Sequence, residues 1–398
     1  MKNAFRGILR SIIIYNLASS ISIIVSYFFE NRKYKAMKNV RKGFEDHRLK
    51  VVTDDVSSNI VLERITKAYL KAKEDQKNLK PPYRVGALWQ STLDKQYQGI
   101  ITALRSKDME SLRAILENFS RADFSASQGG GVDIANIKKQ FLYKYLFVNT
   151  WYKYFNIYKE VIQREPDLDY PLVGNPAGLF YGGKVIPIEA IRFSYCAEQM
   201  LPLLEGKNHP VICEIGGGNG GQAYALMSKS ANALTYIDLD IPEMLVIATY
   251  FLMMALPGKS FLLYGEGPWE DGALEKYDIV MLPYFLIPQM EANTVDLFFN
   301  QRSFSEMDGK TVLEYVHQIE RICRGYFMHI NHNKKFIWEV EGVHTENLPS
   351  SSVIPDVKRF KKIYDYPWIF NRLEEELMYK GVGDIAFLYE KRKPVNQA

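Results

Sequence analysis

Val211-Ile-Cys-Glu-Ile-Gly-Gly-Gly-Asn-Gly-Gly221 decides how this chain is read. An apolar run ends in Glu214 and then breaks into five glycines within six positions, the pattern of a buried strand opening into a ligand-binding loop. Glycine lets a backbone approach a ligand closely, because without Cβ it adopts positive φ and leaves room against the main chain. A helix beginning near Gln222 would point free N–H groups at whatever binds there.

Two kinds of cofactor use such loops. Gly216, Gly218 and Gly221 satisfy the G-x-G-x-x-G spacing of a dinucleotide site, while Glu214, Gly216, Gly218 and Gly220 satisfy the acid-x-G-x-G-x-G spacing of an S-adenosylmethionine site. Glu214 separates them. An unpaired carboxylate is costly to bury in an apolar strand, but beside the cationic amino group of S-adenosylmethionine it is held ionised. The reading therefore favours S-adenosylmethionine, with Gly216, Gly217, Gly218, Asn219 and Gly220 as the cradle and a dinucleotide as the alternative. Leu234-Thr-Tyr-Ile-Asp-Leu239 is a second β-rich run, and Asp238 within it is the expected acceptor for two ribose hydroxyls.

Downstream the pattern alternates strand and helix, which predicts a mostly parallel sheet. Pro242 to Ala255 is apolar on nearly every side and suits a helix sandwiched on that sheet. Phe261–Tyr264 and Tyr277–Leu282 are two candidates for the third strand. Thr294–Asn300 is the fourth, an amphipathic helix runs to Cys323, and Gly325–Asn331 is the fifth; segments near 362–370 and 384–390 would close the edge as an antiparallel pair.

Upstream, Ile60–Lys73, Ala87–Leu104, Met109–Phe119 and Ile137–Ile162 carry apolar residues at helical spacing. The aromatic runs Phe141–Phe147 and Trp151–Phe155 read as helix-packing core. The proline- and glycine-rich stretch Tyr170–Lys184 cannot form a helix and is expected as an irregular strap over the cofactor, giving way at Pro187 to a helix over Ile188–Leu201. Ser11 to Phe29 contains no charge for 19 residues, just enough helix to cross a bilayer, with Lys and Arg on both sides and the heavier cluster after it. Its serines and Asn16 fall largely on one side, so it could instead lie in the interface or pack on the protein. The expected organisation is residues 1–35 as a hydrophobic helix and possible anchor, 36–168 as a helical domain and 169–398 as the cofactor-binding domain, with the body on the cytoplasmic side, at the inner face of the membrane if the anchor is used.

Composition narrows the function. With 398 residues and 47% hydrophobic content the chain can build two cores, and a net charge of +4 spread among nearly balanced acids and bases gives no phosphate-tracking groove, so nucleic acid is not an expected partner. Cys196, Cys213 and Cys323 stand apart in apolar segments and read as buried free thiols. No H-E-x-x-H or cysteine pair is present, so no metal ligand is assigned, although dispersed carboxylates that hold Mg²⁺ leave no such spacing.

The Val173-Gly-Asn-Pro176 strap, the Glu214-Ile-Gly-Gly-Gly218 loop, Tyr236-Ile-Asp-Leu239, and above all Val295-Asp-Leu-Phe-Phe-Asn300 with Ser303-Phe-Ser-Glu-Met307 give the chain a family likeness. Over roughly residues 85 to 390 it resembles the sugar O-methyltransferases found among bacterial surface-polysaccharide genes, departing from them at Asn300-Gln301-Arg302, where Asn-Thr is usual. The resemblance implies a Rossmann-like class I methyltransferase fold, an α/β architecture with a mostly parallel seven-stranded sheet and a mainly helical N-terminal region. It also implies S-adenosylmethionine as cofactor and a sugar or glycan acceptor, free or nucleotide- or lipid-linked. Methyl transfer to a hydroxyl needs a base at the carboxyl ends of strands four and five. By position the candidates are Glu306, His329 and His332; His332 comes first because it stands just past the fifth strand, and Asn300 joins the cofactor set. Tyr181, Trp269 and Trp338 are aromatic candidates for stacking on a sugar.

Overall fold

The structure is a computed structural model that describes residues 39–48, 55–128, 141–269, 274–340, 342–371 and 383–393. The 11–29 segment considered as a membrane anchor lies outside the described residues, as does the Trp338 side chain. Among the described residues no helix is long and apolar enough to cross a membrane. The chain divides into two compact units.

The smaller unit draws its described residues from within Met1–Asp46, Val132–Tyr170 and Pro176–Ile191. Its helix is Phe141–Ile162. Trp151, Tyr154, Phe155 and Tyr158 recur three, four and seven positions on and are all buried, so the aromatic run is packing. Trp151 Nε1 donates to Ile186 O at 3.0 Å. Part of the expected strap is ordered as a hairpin: β1 (Leu179–Tyr181) and β2 (Lys184–Ile186) pair antiparallel, turning at Gly182 and Gly183, both at positive φ.

The larger unit contains His47–Gly131, Pro171–Asn175 and Arg192–Ala398. Its helices α1 (Asp55–Gln76), α2 (Ala87–Gln96), α3 (Gln98–Ser106) and α4 (Met109–Leu116) precede the sheet. The sequence reads Ala87–Leu104 as one helix. It breaks at Tyr97 (φ −103°, ψ 4°), whose buried ring stacks on Phe124 at 4.8 Å. Helix α5 is Phe141–Ile162 of the smaller unit and α6 is Ile188–Met200.

The sheet has eight strands: β3 (Val211–Ile215), β4 (Thr235–Asp240), β5 (Phe261–Leu263), β6 (Ile279–Pro283), β7 (Val295–Gln301), β8 (Cys323–His332), β11 (Phe360–Pro367) and β12 (Asp384–Lys391). A separate antiparallel hairpin joins β9 (Ile337–Val340) to β10 (Val343–Glu346). Across the sheet the order is β11-β12-β8-β7-β3-β4-β6-β5. Every neighbouring pair from β5 to β8 is parallel, and β12 pairs antiparallel with both β8 and β11, so β12 alone is reversed. This is the mostly parallel, Rossmann-like α/β architecture expected, with eight strands where seven are expected. Both candidates for the third strand are strands: Ile279–Pro283 pairs with β4 and Phe261–Leu263 takes the edge beyond it.

The parallel strands are buried along their length because helices cover both faces. Helix α7 (Gly221–Lys229) follows β3, α8 (Pro242–Ala255) follows β4, and α9 (Gly309–Ile322) joins β7 to β8. Residues 242–252 of α8 are all buried, as a helix apolar on every side must be. Asp308 caps α9, accepting from Lys310 N at 2.9 Å.

Gly325 shows how closely β8 approaches β7. A Cβ there would stand 2.2 Å from the backbone oxygen of Asp296, where the register between the strands shifts. Gly325→Ala is expected to cost about 1–3 kcal/mol through overpacking, read as a lowered denaturation midpoint with an unchanged m-value; an unaltered midpoint would mean the strands yield freely.

Candidate active site

The loop after β3 forms one wall of a cavity of about 440 Å³ at the carboxyl ends of the parallel strands. Gly216, Gly218 and Gly220 all adopt positive φ, 78°, 63° and 80°. A Cβ on Gly216 would lie 2.5 Å from Ser303 Oγ, and one on Gly217 2.5 Å from Asp238 Oδ2. The glycines are thus fixed by the chain behind them as well as by the space in front.

Of the residues expected to hold a cofactor, Glu214, Gly216, Gly217 and Gly218 line this cavity. Asn219, Gly220, Asp238 and Asn300 do not. Asn219 Oδ1 accepts from Gly221 N at 3.0 Å and so starts α7. Asn300 is fully buried, donating to Ile215 O at 2.8 Å and accepting from Asn331 Nδ2 at 2.8 Å. It braces the end of β3 from behind.

The acid on the second strand needs a correction. Strand β4 runs two residues beyond Asp238, so Asp238 is buried beneath the loop, accepting from Gly217 N at 3.2 Å. Asp240, at the strand end, is the one that reaches the cavity. Its Oδ2 accepts from Gly218 N at 3.0 Å and its Oδ1 from Ile241 N at 2.7 Å.

These carboxyls are under electrostatic pressure. Burial pushes Glu214 up to about 8, against the pull of a 2.6 Å hydrogen bond from Tyr236. Burial likewise lifts Asp240 to about 7. Asp238 is raised as well, by burial and then by the charges of Asp240 and Glu214. Groups that bind protons more tightly folded than unfolded lose stability as pH rises. The ligand-free protein should therefore melt progressively lower between about pH 4.5 and about pH 8, the interval from an ordinary glutamate to Glu214. A thermal-melt series checks this, and a melting temperature that climbs across that interval would contradict it.

On the opposite wall, Glu306 follows β7 and His332 ends β8; both line the cavity. Glu306 accepts from Trp89 Nε1 at 3.0 Å, and burial raises it to about 7. His332 lies within the strand rather than past it, directly opposite Asp384 of β12. Its Nδ1 is 2.7 Å from Asp384 Oδ1, while Arg302 Nε donates to Asp384 Oδ2 at 2.8 Å. Asp384 is fully buried, yet Arg302 and His332 hold it well below the usual carboxylate range. A histidine with Nδ1 on a buried carboxylate presents Nε2 as its basic nitrogen.

His329 belongs to the core, which corrects its candidacy as a base. It is fully buried, stacked on Phe387 at 4.9 Å and within 3.2 Å of Val353 O through Nε2. Burial depresses it to about 3, so it stays neutral. The aromatic candidates are corrected too. Trp269 is a core residue, and Tyr181 packs against Trp151 and Phe155 in the smaller unit. Trp89, Tyr284 and Phe336 line the cavity instead, together with Arg84 and Arg192. Of the expected strap, residues 171–175 of the larger unit do not line it, and Asn175 Oδ1 accepts from His47 N at 2.9 Å.

The three cysteines are buried and free. Among the described residues no group of three or more His, Cys, Asp or Glu side chains is placed to hold a metal ion.

No protein-family model matches the chain, and no curated protein matches it. Solved structures similar to it include a Pyrococcus horikoshii protein, 11% identical, covering 51% of this chain and 92% of its own, with a TM-score of 0.34. Another is geranyl diphosphate C-methyltransferase from Streptomyces coelicolor with Mg²⁺, geranyl diphosphate and S-adenosyl-L-homocysteine, 10% identical over 50% of this chain and 77% of that one, TM-score 0.34. A third is 1,6-didemethyltoxoflavin-N1-methyltransferase from Burkholderia thailandensis with S-adenosylhomocysteine, 10% identical over 51% and 77%, TM-score 0.32.

Proposed function

We propose that this chain is an S-adenosylmethionine-dependent O-methyltransferase whose acceptor is a sugar hydroxyl of a cell-surface glycan or its precursor. The observation that carries the reading is a pair of carboxyls, buried Glu214 and half-buried Asp240, facing one cavity beside main chain that has no Cβ. Acids raised this far call for a cationic ligand. S-adenosylmethionine suits them: Glu214 would take its ammonium, Asp240 its ribose hydroxyls, and the Gly216–Gly218 main chain would lie along it. Arg192 in the same wall would face its carboxylate. Bound there, the cofactor supplies a methyl group already made electrophilic by its sulfonium.

The chain's own part is to bind, orient and deprotonate. His332 Nε2 accepts the hydroxyl proton as the acceptor oxygen attacks, and Asp384, held by Arg302, stabilises the imidazolium that results. Glu306, hydrogen-bonded to Trp89, is placed to accept from a second hydroxyl of the acceptor. Trp89 and Phe336 offer apolar faces beside the carboxylates of Glu306 and Asp308, the combination that suits a ring with one apolar face and a rim of hydroxyls. The likeness of Ser303-Phe-Ser-Glu-Met307 and its surroundings to sugar O-methyltransferases supports the same acceptor class. The bond formed distinguishes acceptor chemistries. Label from methyl-tritiated S-adenosylmethionine should enter glycan or glycan-precursor fractions as an ether, stable to mild base and released by acid as a methylated monosaccharide. Base-labile label would point to a carboxyl acceptor and overturn the hydroxyl assignment.

A further inference from the structure

Far along the sheet from the glycine loop, β11 forms the outer edge, and the turn leading into it has an unusual surface. Ile354, Val357 and Ile363 are 51%, 69% and 43% exposed. Between them stand Lys358, Arg359, Lys361 and Lys362, all exposed, and Arg392 and Lys393 follow on the neighbouring strand end. The nearby acids are fewer: Asp365 is paired with Lys362 at 2.6 Å, Asp356 lies 3.9 Å from Arg359, and Glu390 stands opposite Lys361 on β12. The turn is also built to hold its shape. Arg359 N and Phe360 N both donate to Asp356 O, at 2.9 and 2.8 Å, Lys358 N donates to Asp356 Oδ1 at 2.9 Å, and Asp356 N donates to Glu320. Val353 and Phe360 anchor it from below, fully buried or nearly so. A groove of about 530 Å³ runs alongside, lined by Ile354, Val357, Phe360 and Phe387 among others.

We propose that this turn and the β11 edge dock the protein on an anionic lipid bilayer. Branched aliphatic side chains held outward on a rigid turn, interleaved with cations, match the boundary between anionic headgroups and acyl chains. A nucleic-acid surface would call for exposed rings among the cations, but the side chains that stand out here are Val357 and Ile363, while Phe360 and Tyr389 are buried and Tyr364 and Tyr366 are half-buried against each other. An edge meant for a second copy of the chain would not carry adjacent lysines and a terminal proline, Pro367, which oppose strand pairing. The inference stands apart from the proposed chemistry, and it concerns residues distinct from the 11–29 segment.

The three native cysteines are buried, so Val357→Cys can be labelled selectively in the full chain with an environment-sensitive fluorophore. Vesicles of phosphatidylcholine containing phosphatidylglycerol should shift its emission to the blue and expose it to a lipid-borne quencher, whereas pure phosphatidylcholine should do so weakly. A label at Leu313→Cys, an exposed helix position, should respond to neither. Adding Lys358→Gln and Arg359→Gln to the Val357→Cys chain should weaken binding to the anionic vesicles about 30-fold. An unchanged emission with anionic vesicles would overturn the proposal. So would an equal response to both lipids, a shift produced by nucleic acid instead, or one that grows with protein concentration without vesicles. Because the readout is local, it holds whatever the 11–29 segment does.

Discussion

His332→Gln is expected to lower kcat by about 10²–10⁴-fold while leaving the affinity for S-adenosylhomocysteine within about twofold. Only the proton acceptor is lost, since the residues placed to hold the cofactor lie on the other wall of the cavity. Asp384→Asn should approach the same loss by a different route. An amide opposite Nδ1 can stabilise the wrong tautomer and gives no charge to an imidazolium, and Arg302 would lose its partner in the same change. The two variants separate by what each retains: Asp384→Asn keeps the imidazole and should turn over measurably faster than His332→Gln. Stopped turnover in Asp384→Asn with full activity in His332→Gln would place the base elsewhere, and Glu306→Gln would then be the variant to measure.

Glu214→Gln carries the second large effect, and it has two signs. Loss of a charge-assisted contact to the cofactor's ammonium should weaken S-adenosylhomocysteine binding about 100-fold. The same change removes a carboxyl that burial has lifted to about 8, and so should stabilise the ligand-free protein above neutral pH. Glutamine keeps an oxygen for the Tyr236 hydroxyl, which leaves the core contact in place. Weaker binding together with a higher melting temperature is the signature of a site that trades stability for a ligand. A variant that loses both would show Glu214 to be a structural residue.

How far the sequence could be read follows from what is local. The glycine loop, the strand before it and the apolar helix over 242–255 carry their signals within single segments, and all are found where expected. Leu239 closes the apolar run and so points to Asp238, yet Asp238 and Asp240 share a face of the strand, and parity alone offers both. Asp384 could not be found this way. Its partnership with His332 depends on antiparallel pairing between β12 and β8, which no local pattern encodes. Trp89 reaches the cavity from a helix far earlier in the chain for the same reason. His329 and His332 look alike in sequence, and only the stacking of Phe387 and Tyr389 on the first marks it as core.

The account rests on Glu214 and Asp240 gripping a sulfonium cofactor across the glycine loop. Isothermal titration of the full chain with S-adenosylhomocysteine, and in parallel with NAD, tests this most directly. Saturable binding of the first, weakened in both Glu214→Gln and Asp240→Asn, and none of the second is the predicted result; binding of NAD with indifference to S-adenosylhomocysteine would contradict it.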